Sequence, residues 1–490
     1  MSQPAGSIPS ELLPPGDRAG VRLPLWVAGR SAEGDMPVKP ISTAAALFAT
    51  LTFVFASATP ALAAIPDNQQ QLTTFDPAVN IDSCAGVSVN THPETGKTLV
   101  TFIQPDAGEQ FGGMLVVGLL DSTGALEGSL VQVSTTIPSM DTGDCAPPSL
   151  AAGPDGTWLV LWYVNTNDSD AAIAGQIISS TGTLVGTNFN IDDDQYTDIE
   201  SVSGAWSATD ERYLVTWKAR VNGRSVSLDA LNDQQVVGQF VDGTGSLMGS
   251  NFLVTNFAGG VNNNQDLAFG SGIWIAVSSE GGTSPKGQII TAAGLQGAAF
   301  DLSSEAQNYA GPGIVYNAAI GQFLATFWEN TGEATKHLRL LSGSGTPLGS
   351  DTVYAADGPR PRAVSVGTGG YVLTWHGWDE PNIRAQAFDA TLSPVGEQYQ
   401  VSSDELTSAF RPEMACVAGG IVFAYWGRVA PDGGTTATNV YSNKVATECD
   451  SYLLPETNRD RSLWTTTLVI LAGLTAAAGI GLRVRGAKRA

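Results

Sequence analysis

Short runs of alternating apolar residues recur along the chain at a nearly constant interval, and most of them end in an aromatic residue. Period-two apolar runs bounded by Gly, Asp, Asn and Ser are typical of strands joined by tight turns. Successive runs end 60, 55, 61, 49, 48 and 51 residues apart. Their final residues are Phe102, Trp162, Trp217, Ser278, Phe327, Trp375 and Trp426. A repeat of this length indicates one structural unit used seven times.

Two further patterns accompany each of the first six units. A Gly-Gln strand recurs, as at Gly175-Gln176, Gly238-Gln239 and Gly287-Gln288, and a Gly-x-Leu-x-Gly turn with its own alternating stretch follows. Each unit therefore predicts four short strands. Repeated four-stranded units predict an all-β fold, a β-propeller, with seven blades over residues 64–449. Six blades are the alternative if the degenerate fourth run is not a strand.

The two ends of the repeat array complement each other. The seventh unit has its Trp strand and a third strand near residues 439–445, but no outer strand follows. An unpaired strand-like segment, residues 71–74, precedes the first unit. We predict that this segment supplies the missing outer strand and closes the ring, which also hides an exposed edge.

The repeated Trp, Gly-Gln and Gly-x-x-x-Gly positions resemble the propeller units of large secreted bacterial surface proteins. The resemblance covers most of residues 71–446. It implies a secreted propeller, but these motifs build the fold and assign no activity. We interpret the repeated Trp and Phe residues as core between blades rather than as a sugar-binding set.

Residues 1–63 are predicted to be a signal peptide region. An apolar run over residues 41–58 ends at Ala61-Leu62-Ala63, the small-x-small pattern of a cleavage site after Ala63. Met36-Pro37-Val38-Lys39 makes a normal positive start for such a peptide, so we expect translation to begin at Met36. An N-terminal membrane anchor is the alternative interpretation.

The C-terminal end has three parts. Residues 450–462 form a linker, residues 463–482 are apolar enough for a transmembrane helix, and residues 483–490 form a basic tail that is expected to stay cytoplasmic. The linker contains Leu454-Pro455-Glu456-Thr457-Asn458. This order resembles the sorting signal of cell-wall-anchored bacterial proteins and implies cleavage at Thr457 by a sortase-like enzyme. That family has Gly where this chain has Asn458, so other sorting tails and a plain single-span anchor stay open.

Charge is distributed unevenly along the chain. Between residues 64 and 458 there are 14 Lys and Arg against 42 Asp and Glu, a net charge near −28. Such a surface disfavours nucleic acid and anionic lipid and favours cations or basic partners. We therefore expect an extracellular protein or glycan as partner and no nucleic acid.

Four cysteines are compatible with one or two disulfides in an oxidising compartment. Cys84 and Cys145 occupy the same place in neighbouring units, while Cys416 and Cys449 both belong to the last unit. We favour the pairings 84–145 and 416–449, because each joins adjacent elements; the two other pairings stay open.

Short sequence motifs do not point to a catalytic or metal-binding site. The three histidines, His92, His337 and His376, are far apart, and no Cys-x-x-Cys, His-Glu-x-x-His, Gly-x-Ser-x-Gly or phosphate-loop pattern is present. Zinc and serine-hydrolase chemistry are disfavoured.

Two sets of loop residues are candidate binding positions, because loops joining second to third strands share a face with the links between blades. Carboxylates in the second unit suit Ca²⁺, the one cofactor that the sequence suggests, although a solvated acidic rim is the alternative: Asp168, Asp170, Asp192, Asp193, Asp194 and Asp198. A second set combines basic, aromatic and acidic residues suited to a sugar or peptide: Arg220, Arg224, His376, Trp378, Asp379 and Glu380.

Two function classes remain. The first is a non-enzymatic binding or adhesion module for an extracellular glycan or protein. The alternative is a propeller hydrolase or lyase for extracellular polysaccharide, which requires two carboxylates converging on one pocket. We favour the first, because no linear motif supports the second and a fold alone does not assign function.

Overall fold

The computed structural model describes most of residues 69–446, and the two terminal segments lie outside the described residues. Gaps within that range fall at residues 76–85, 106–112, 136–146, 166–170, 193–195, 222–233, 258–259, 262–264, 281–283, 306–308, 330–333, 355, 357, 368, 378–381 and 430–436.

The alternating runs form strands because every second side chain of such a run points to the same face of a sheet. Within the described residues there are seven antiparallel sheets of four strands each, so the seven-bladed propeller is confirmed and the six-bladed alternative is wrong. The degenerate fourth run is an ordinary second strand.

Each blade has one inner strand beside the central channel. These inner strands are β2 (Val87–Thr91), β6 (Ser149–Ala152), β10 (Tyr196–Ser207), β14 (Asp266–Gly270), β18 (Tyr309–Asn317), β22 (Arg362–Ser365) and β26 (Ser408–Val417). The second strands carry the repeated aromatic residues: β3 (Thr98–Pro105), β7 (Trp158–Asn165), β11 (Arg212–Val221), β15 (Ile273–Ser279), β19 (Gln322–Glu329), β23 (Tyr371–His376) and β27 (Gly420–Val429).

Two more strands complete each blade. The third strands are β4 (Gly113–Leu120), β8 (Ala171–Ile178), β12 (Gln234–Asp242), β16 (Pro285–Thr291), β20 (Lys336–Ser342), β24 (Ile383–Phe388) and β28 (Ala437–Val445). The outer strands are β5 (Leu126–Gln132), β9 (Leu184–Asn190), β13 (Leu247–Leu253), β17 (Gly294–Asp301), β21 (Thr352–Tyr354), β25 (Pro394–Gln400) and β1 (Gln70–Gln71).

The core lies between the blades. Trp162, Trp217, Trp375 and Trp426 on the second strands are fully buried, and one apolar cluster joins side chains of blades 1, 2 and 3. Truncating such a buried aromatic side chain to alanine typically costs about 3–5 kcal/mol. The interpretation of the repeated aromatic residues as core is therefore confirmed.

The Gly-Gln pairs join the third strand to the outer strand. A Cβ atom at Gly238 would lie 3.0 Å from the Phe252 ring on β13, so the glycine makes room for that ring. The pairing register shifts next to Gln239, and its side-chain amide donates to the carbonyl oxygens of Phe240 at 2.9 Å and Met248 at 3.2 Å. The Gly-Gln motif thus stabilises the bulged pairing between the third strand and the outer strand.

The ring closes by pairing β1 with β28, and the predicted closure is confirmed. The paired residues are Gln70 and Gln71, one position before the predicted start, and the chain continues along β28 with Leu72 N donating to Val440 O at 2.8 Å. Inner strand β26 of the last blade contacts β2 of the first. Both ends of the repeat array therefore belong to one blade.

The remaining predictions about the ends and the cysteines are mostly outside the described residues. Cys416 lies in β26, as expected, and is disulfide-bonded, but Cys84, Cys145 and Cys449 are not described. Ala63, Leu454, Pro455, Thr457 and the predicted transmembrane segment also lie outside the described part. Within it, the chain forms no helix of sufficient length and hydrophobicity to cross a bilayer.

Candidate functional site

The inner strands all run in the same direction, so their first residues meet at one face of the propeller. Pairing with the second strand defines an equivalent position near the start of each inner strand. In blades 1, 2 and 3 this position is a serine, Ser88, Ser149 and Ser203, opposite Thr101, Leu161 and Thr216.

The other four blades carry a different set. The equivalent residues are Asp266 opposite Val277, Gly313 opposite Thr326, Arg362 opposite Thr374 and Glu413 opposite Ala424. Three of these four are charged. Because serine serves equally well in three blades, the fold itself does not require charged residues there.

Some of these residues line a pocket, which we call the channel mouth. Its lining residues come from blades 1, 2, 6 and 7 and are Gly86, Val87, Pro147, Arg360, Arg362, Arg411, Pro412 and Glu413. Three arginines and one glutamate thus face one small space, in a domain that otherwise carries a large negative charge.

Arg362 and Glu413 form the polar centre of the mouth. Arg362 Nε donates to Glu413 Oε1 at 2.9 Å, and their side chains remain 22% and 30% exposed, so the pair is reachable from solvent. Among the described residues, the buried Nη1 of Arg362 has no hydrogen-bond partner. The guanidinium therefore keeps donor capacity beyond the ion pair.

Asp266 extends this network toward blade 3. Its Oδ1 accepts from Ser203 Oγ at 2.9 Å and its Oδ2 accepts from the backbone N–H of Ile314 at 3.0 Å. A Cβ atom at Gly313 would lie 3.3 Å from Arg362 Nη1 and 3.6 Å from Asp266 Oδ2. The absence of a side chain at Gly313 lets the cation and the carboxylate approach the same point.

Burial and charge shift the pKa values of these groups in different directions. Burial raises the pKa of Glu413; the nearby Arg362 offsets part of this, and Asp266 adds to it. Burial alone would lower the pKa of Arg362, but the carboxylates of Glu413 and Asp266 outweigh it and raise that pKa. Burial and repulsion from Arg362 lower the pKa of Arg360.

Two of the three arginines occupy strained backbone positions. Arg360 and Arg411 have φ angles of 55° and 53°, in the left-handed region. Blade 5 has Gly311, with φ 53°, at the corresponding bulge. A left-handed backbone costs a non-glycine residue roughly 1–2 kcal/mol, so glycine would adopt this bend with less strain than arginine.

One of the predicted Ca²⁺ ligands, Asp192, makes a hydrogen bond within its own blade. Asp192 is buried, and its Oδ1 accepts a hydrogen bond from the Ile173 backbone N–H at 2.9 Å. The hydroxyl groups of Ser134, Thr255 and Ser402 accept equivalent bonds in other blades. This carboxylate thus does what a hydroxyl does elsewhere: it joins the segment after an outer strand to the third strand.

Asp168, Asp170, Asp193 and Asp194 lie outside the described residues, and Asp198 lies in β10. Among the described residues no group of three or more His, Cys, Asp and Glu side chains could hold a metal ion.

Two of the predicted binding residues are described, and they lie on separate blades. Arg220 is the last residue but one of β11 in blade 3, and the half-buried His376 ends β23 in blade 6. Second strands end at the face where inner strands begin, so both residues share a face with the channel mouth, but neither lines it. Arg224, Trp378, Asp379 and Glu380 lie outside the described residues.

Sequence reasoning missed the channel mouth. A signal was present: Gly311-Pro312-Gly313, Arg360-Pro361-Arg362 and Arg411-Pro412-Glu413 follow one another at 49 and 51 residues, which is the period of the blades. Aligning the repeats on this x-Pro-x pattern, and not on the Trp strand alone, would have placed these charged residues together.

Comparison with known proteins adds little to this picture. No protein-family model and no curated protein matches the chain. A protein of unknown function from Dyadobacter fermentans has a TM-score of 0.46 at 12% identity, covering 61% of this chain and 94% of that one. Trypanosoma rangeli sialidase has a TM-score of 0.40 at 9% identity, with 60% of this chain and 54% of the sialidase covered.

The acylaminoacyl peptidase of Pyrococcus horikoshii has a TM-score of 0.43 at 9% identity, with 76% of this chain covered. The match covers 54% of the peptidase, so this chain spans about half the length of both enzymes. These likenesses are too distant to carry an argument about activity.

Proposed function

We propose that this chain is a recognition module that binds an extracellular glycan or protein through the face on which the channel mouth opens. The observation that carries the proposal is the placement of Arg360, Arg362, Arg411 and Glu413 around one pocket. Equivalent positions in other blades hold Ser, Gly or Asp, so arginine and glutamate are not needed there to build the ring. A cost in backbone strain at Arg360 and Arg411 supports a role other than stability.

The proposal includes a place in the cell. The apolar run ending at Ala63 supports export, and residues 463–490 support anchoring with the propeller outside and the basic tail inside. Cleavage at Thr457 by a sortase-like enzyme would replace this anchor with a covalent one. Mass spectrometry of the mature C-terminus tests this part, because recovery of the intact basic tail would exclude cleavage.

A second candidate function has one observation in its favour. An extracellular polysaccharide hydrolase or lyase needs two carboxylates of different pKa near one pocket. Glu413 lines the channel mouth with a raised pKa, and Asp266 acts on it electrostatically. Arg362 pairs with Glu413, however, and favours its charged form, which is not the form that donates a proton. We therefore rank binding before catalysis.

One experiment separates the two functions. The purified full chain, in mild detergent, is applied to an array of glycans and to extracellular protein extracts, and it is incubated in parallel with polysaccharides while reducing ends are measured. We expect retention on at least one glycan or protein and no turnover. Turnover that Glu413→Gln abolishes would replace the binding proposal with the enzymatic one, and retention on nothing at all would refute it.

A further inference from the structure

The channel mouth has an excess of positive charge at its surface. Arg360, Arg362 and Arg411 line it, whereas Glu413 is the one acidic residue among the lining residues that the structure describes. Only 14 basic residues lie between positions 64 and 458, so three of them meeting at one pocket is a strong concentration. The mouth is a local cationic site within a strongly acidic domain.

The guanidinium of Arg362 keeps one donor without a partner among the residues that the structure describes. Arg362 bonds Glu413 through Nε, while its Nη1 is buried and has no hydrogen-bond partner among the described residues. A buried donor of this kind gains free energy when it meets an acceptor. Burial, and after it repulsion from Arg362, lowers the pKa of Arg360, and a bound anion beside the two guanidinium groups would offset the repulsion.

Glu413 adds a second requirement on a ligand. Its carboxylate lies beside the guanidinium of Arg362, with 2.9 Å between Oε1 and Nε. The mouth therefore presents hydrogen-bond donors and an acceptor side by side. A ligand that complements the mouth has a hydrogen-bond acceptor for the arginines and, close to it, a donor for Glu413. A simple anion without a donor lacks the second group.

We propose that the channel mouth binds a single carboxylate group that carries a hydroxyl or N–H group within two carbon atoms. The inference rests on the proposed binding function and specifies the ligand chemistry. The carboxylate faces the three arginines, and the neighbouring donor bonds Glu413. The end of an acidic sugar chain and the C-terminal residue of a peptide both have this chemistry.

The charge of the whole domain limits the ligand further. A net charge near −28 between residues 64 and 458 repels a polyanion over the range of the Debye length, about 8 Å in physiological salt. A single terminal carboxylate meets far less of this repulsion. We therefore expect an end group, and not a stretch of polyuronate, to occupy the mouth.

Calorimetric titration of the full chain with four small probes tests this inference. Galacturonic acid and N-acetylglycine carry the carboxylate and the nearby donor, while galacturonic acid methyl ester and N-acetylglycinamide carry no carboxylate. We expect binding of at least one acid and at least tenfold weaker binding of its neutral partner, as the loss of charge-assisted hydrogen bonds implies. The acid that binds more tightly identifies the sugar or the peptide source.

Variants assign that binding to the mouth. Arg360→Gln, Arg362→Gln and Arg411→Gln are each expected to weaken binding of the acid about tenfold, provided that circular dichroism shows a folded propeller. Lys286→Gln is the matched control, since Lys286 begins a third strand on the same face but pairs with Asp301 on its own blade. It should change the dissociation constant less than about twofold.

Glu413→Gln separates the two requirements. It removes a negative charge and weakens the acceptor, so acetate should bind more tightly while the preference for N-acetylglycine over acetate falls about fivefold. Should Arg362→Gln fail to fold, Arg360→Gln and Glu413→Gln still decide the question.

Equal binding of acids and neutral partners, no binding of either acid, or unchanged affinity in the folded arginine variants would overturn the inference. Retention on the glycan and protein arrays is scored separately, so the broader binding function can stand when this ligand chemistry fails.

Discussion

Single polar side chains hold the blades in register. Gln239 donates to Phe240 O at 2.9 Å and Met248 O at 3.2 Å, and its own Oε1 accepts from Asn251 Nδ2 at 2.5 Å. Gln176, Gln288 and Gln386 likewise donate from Nε2 to a carbonyl oxygen of the outer strand in their blades. The side chain replaces ladder bonds that the bulge removes, so its loss removes several hydrogen bonds between the third and outer strands.

We therefore expect Gln239→Leu to lower the free energy of unfolding by roughly 2 kcal/mol, because the carbonyl oxygens of Phe240 and Met248 and the side chain of Asn251 each lose a hydrogen bond to Gln239. Denaturant titration followed by tryptophan fluorescence measures this change. Gln398→Leu, on the exposed outer strand of blade 6, is the control and should shift stability little. Equal effects of the two substitutions would contradict the assigned role.

Lys336 is a buried cation that joins blade 5 to blade 6. Its Nζ donates to Ala356 O at 2.8 Å and Gly358 O at 2.7 Å, and it lies 4.7 Å from the centre of the Trp375 ring. The segment that it holds leads directly to Arg360 at the channel mouth. A change at this residue should therefore affect both stability and the site.

Lys336→Met keeps the length of the side chain but removes its donors. We expect a loss of about 2–3 kcal/mol, because two carbonyl groups lose a charged partner. Thermal unfolding measures the loss. Lys97→Met is the matched control, because Lys97 is a half-buried residue between β2 and β3 of blade 1. A variant as stable as the parent would show that these carbonyls find other partners.

At the scale of elements, the turns between third and outer strands share an aspartate. Asp121, Asp242 and Asp389 each accept hydrogen bonds from the backbone and hydroxyl group of the threonine two residues later. The Thr123 hydroxyl group lowers the pKa of Asp121. Burial alone would raise the pKa of Asp242 and Asp389, but the threonine hydrogen bonds outweigh it and lower both values.

These lowered pKa values predict acid sensitivity. A carboxylate whose pKa is lower in the folded chain stabilises the fold above its unfolded value, which is near 3.9, and this stabilisation disappears as pH falls through the folded value. The triple variant D121N/D242N/D389N should therefore lose less stability than the parent between pH 5 and 2. Melting temperatures across this range measure the slope.

Glu397→Gln, on an exposed outer strand, removes one charge without touching a turn. It should retain the parent's acid sensitivity. A triple variant with the parent's slope would show that acid acts elsewhere, for example on the remaining carboxylates of this acidic domain.

At the scale of the whole molecule, the architecture was readable from the sequence and the site was not. Fully buried Trp162, Trp217 and Trp426 recur because the interfaces between blades are filled by large apolar side chains. The same sequence pattern therefore appears once per blade and can be recognised as a repeat. Arg362, Glu413 and Asp266 occur once each at equivalent positions of different blades. Their proximity depends on ring closure and register, which no local pattern specifies.

The N-terminal strand β1 closes the ring by pairing with β28 of the last blade. Beyond the β1–β28 pair, Leu72 is buried, Thr73 Oγ1 accepts from Val440 N at 3.0 Å, and Phe75 stacks on Trp426 at 6.1 Å. Without this segment, β28 would be an unpaired edge, and Trp426 would lose a packing partner. An open edge is a template for pairing with other chains.

Leu72→Asp places a charge in this apolar contact and should release the segment. We expect a loss of roughly 3 kcal/mol, since the apolar contact disappears and an unpaired carboxylate would have to be buried. Size-exclusion chromatography with light scattering should show dimers and larger species, because β28 then pairs between molecules. Gln71→Asp, at the exposed neighbouring position, carries the same charge and should leave the protein monomeric. A monomeric and stable Leu72→Asp variant would mean that the seven blades hold together through their interfaces alone.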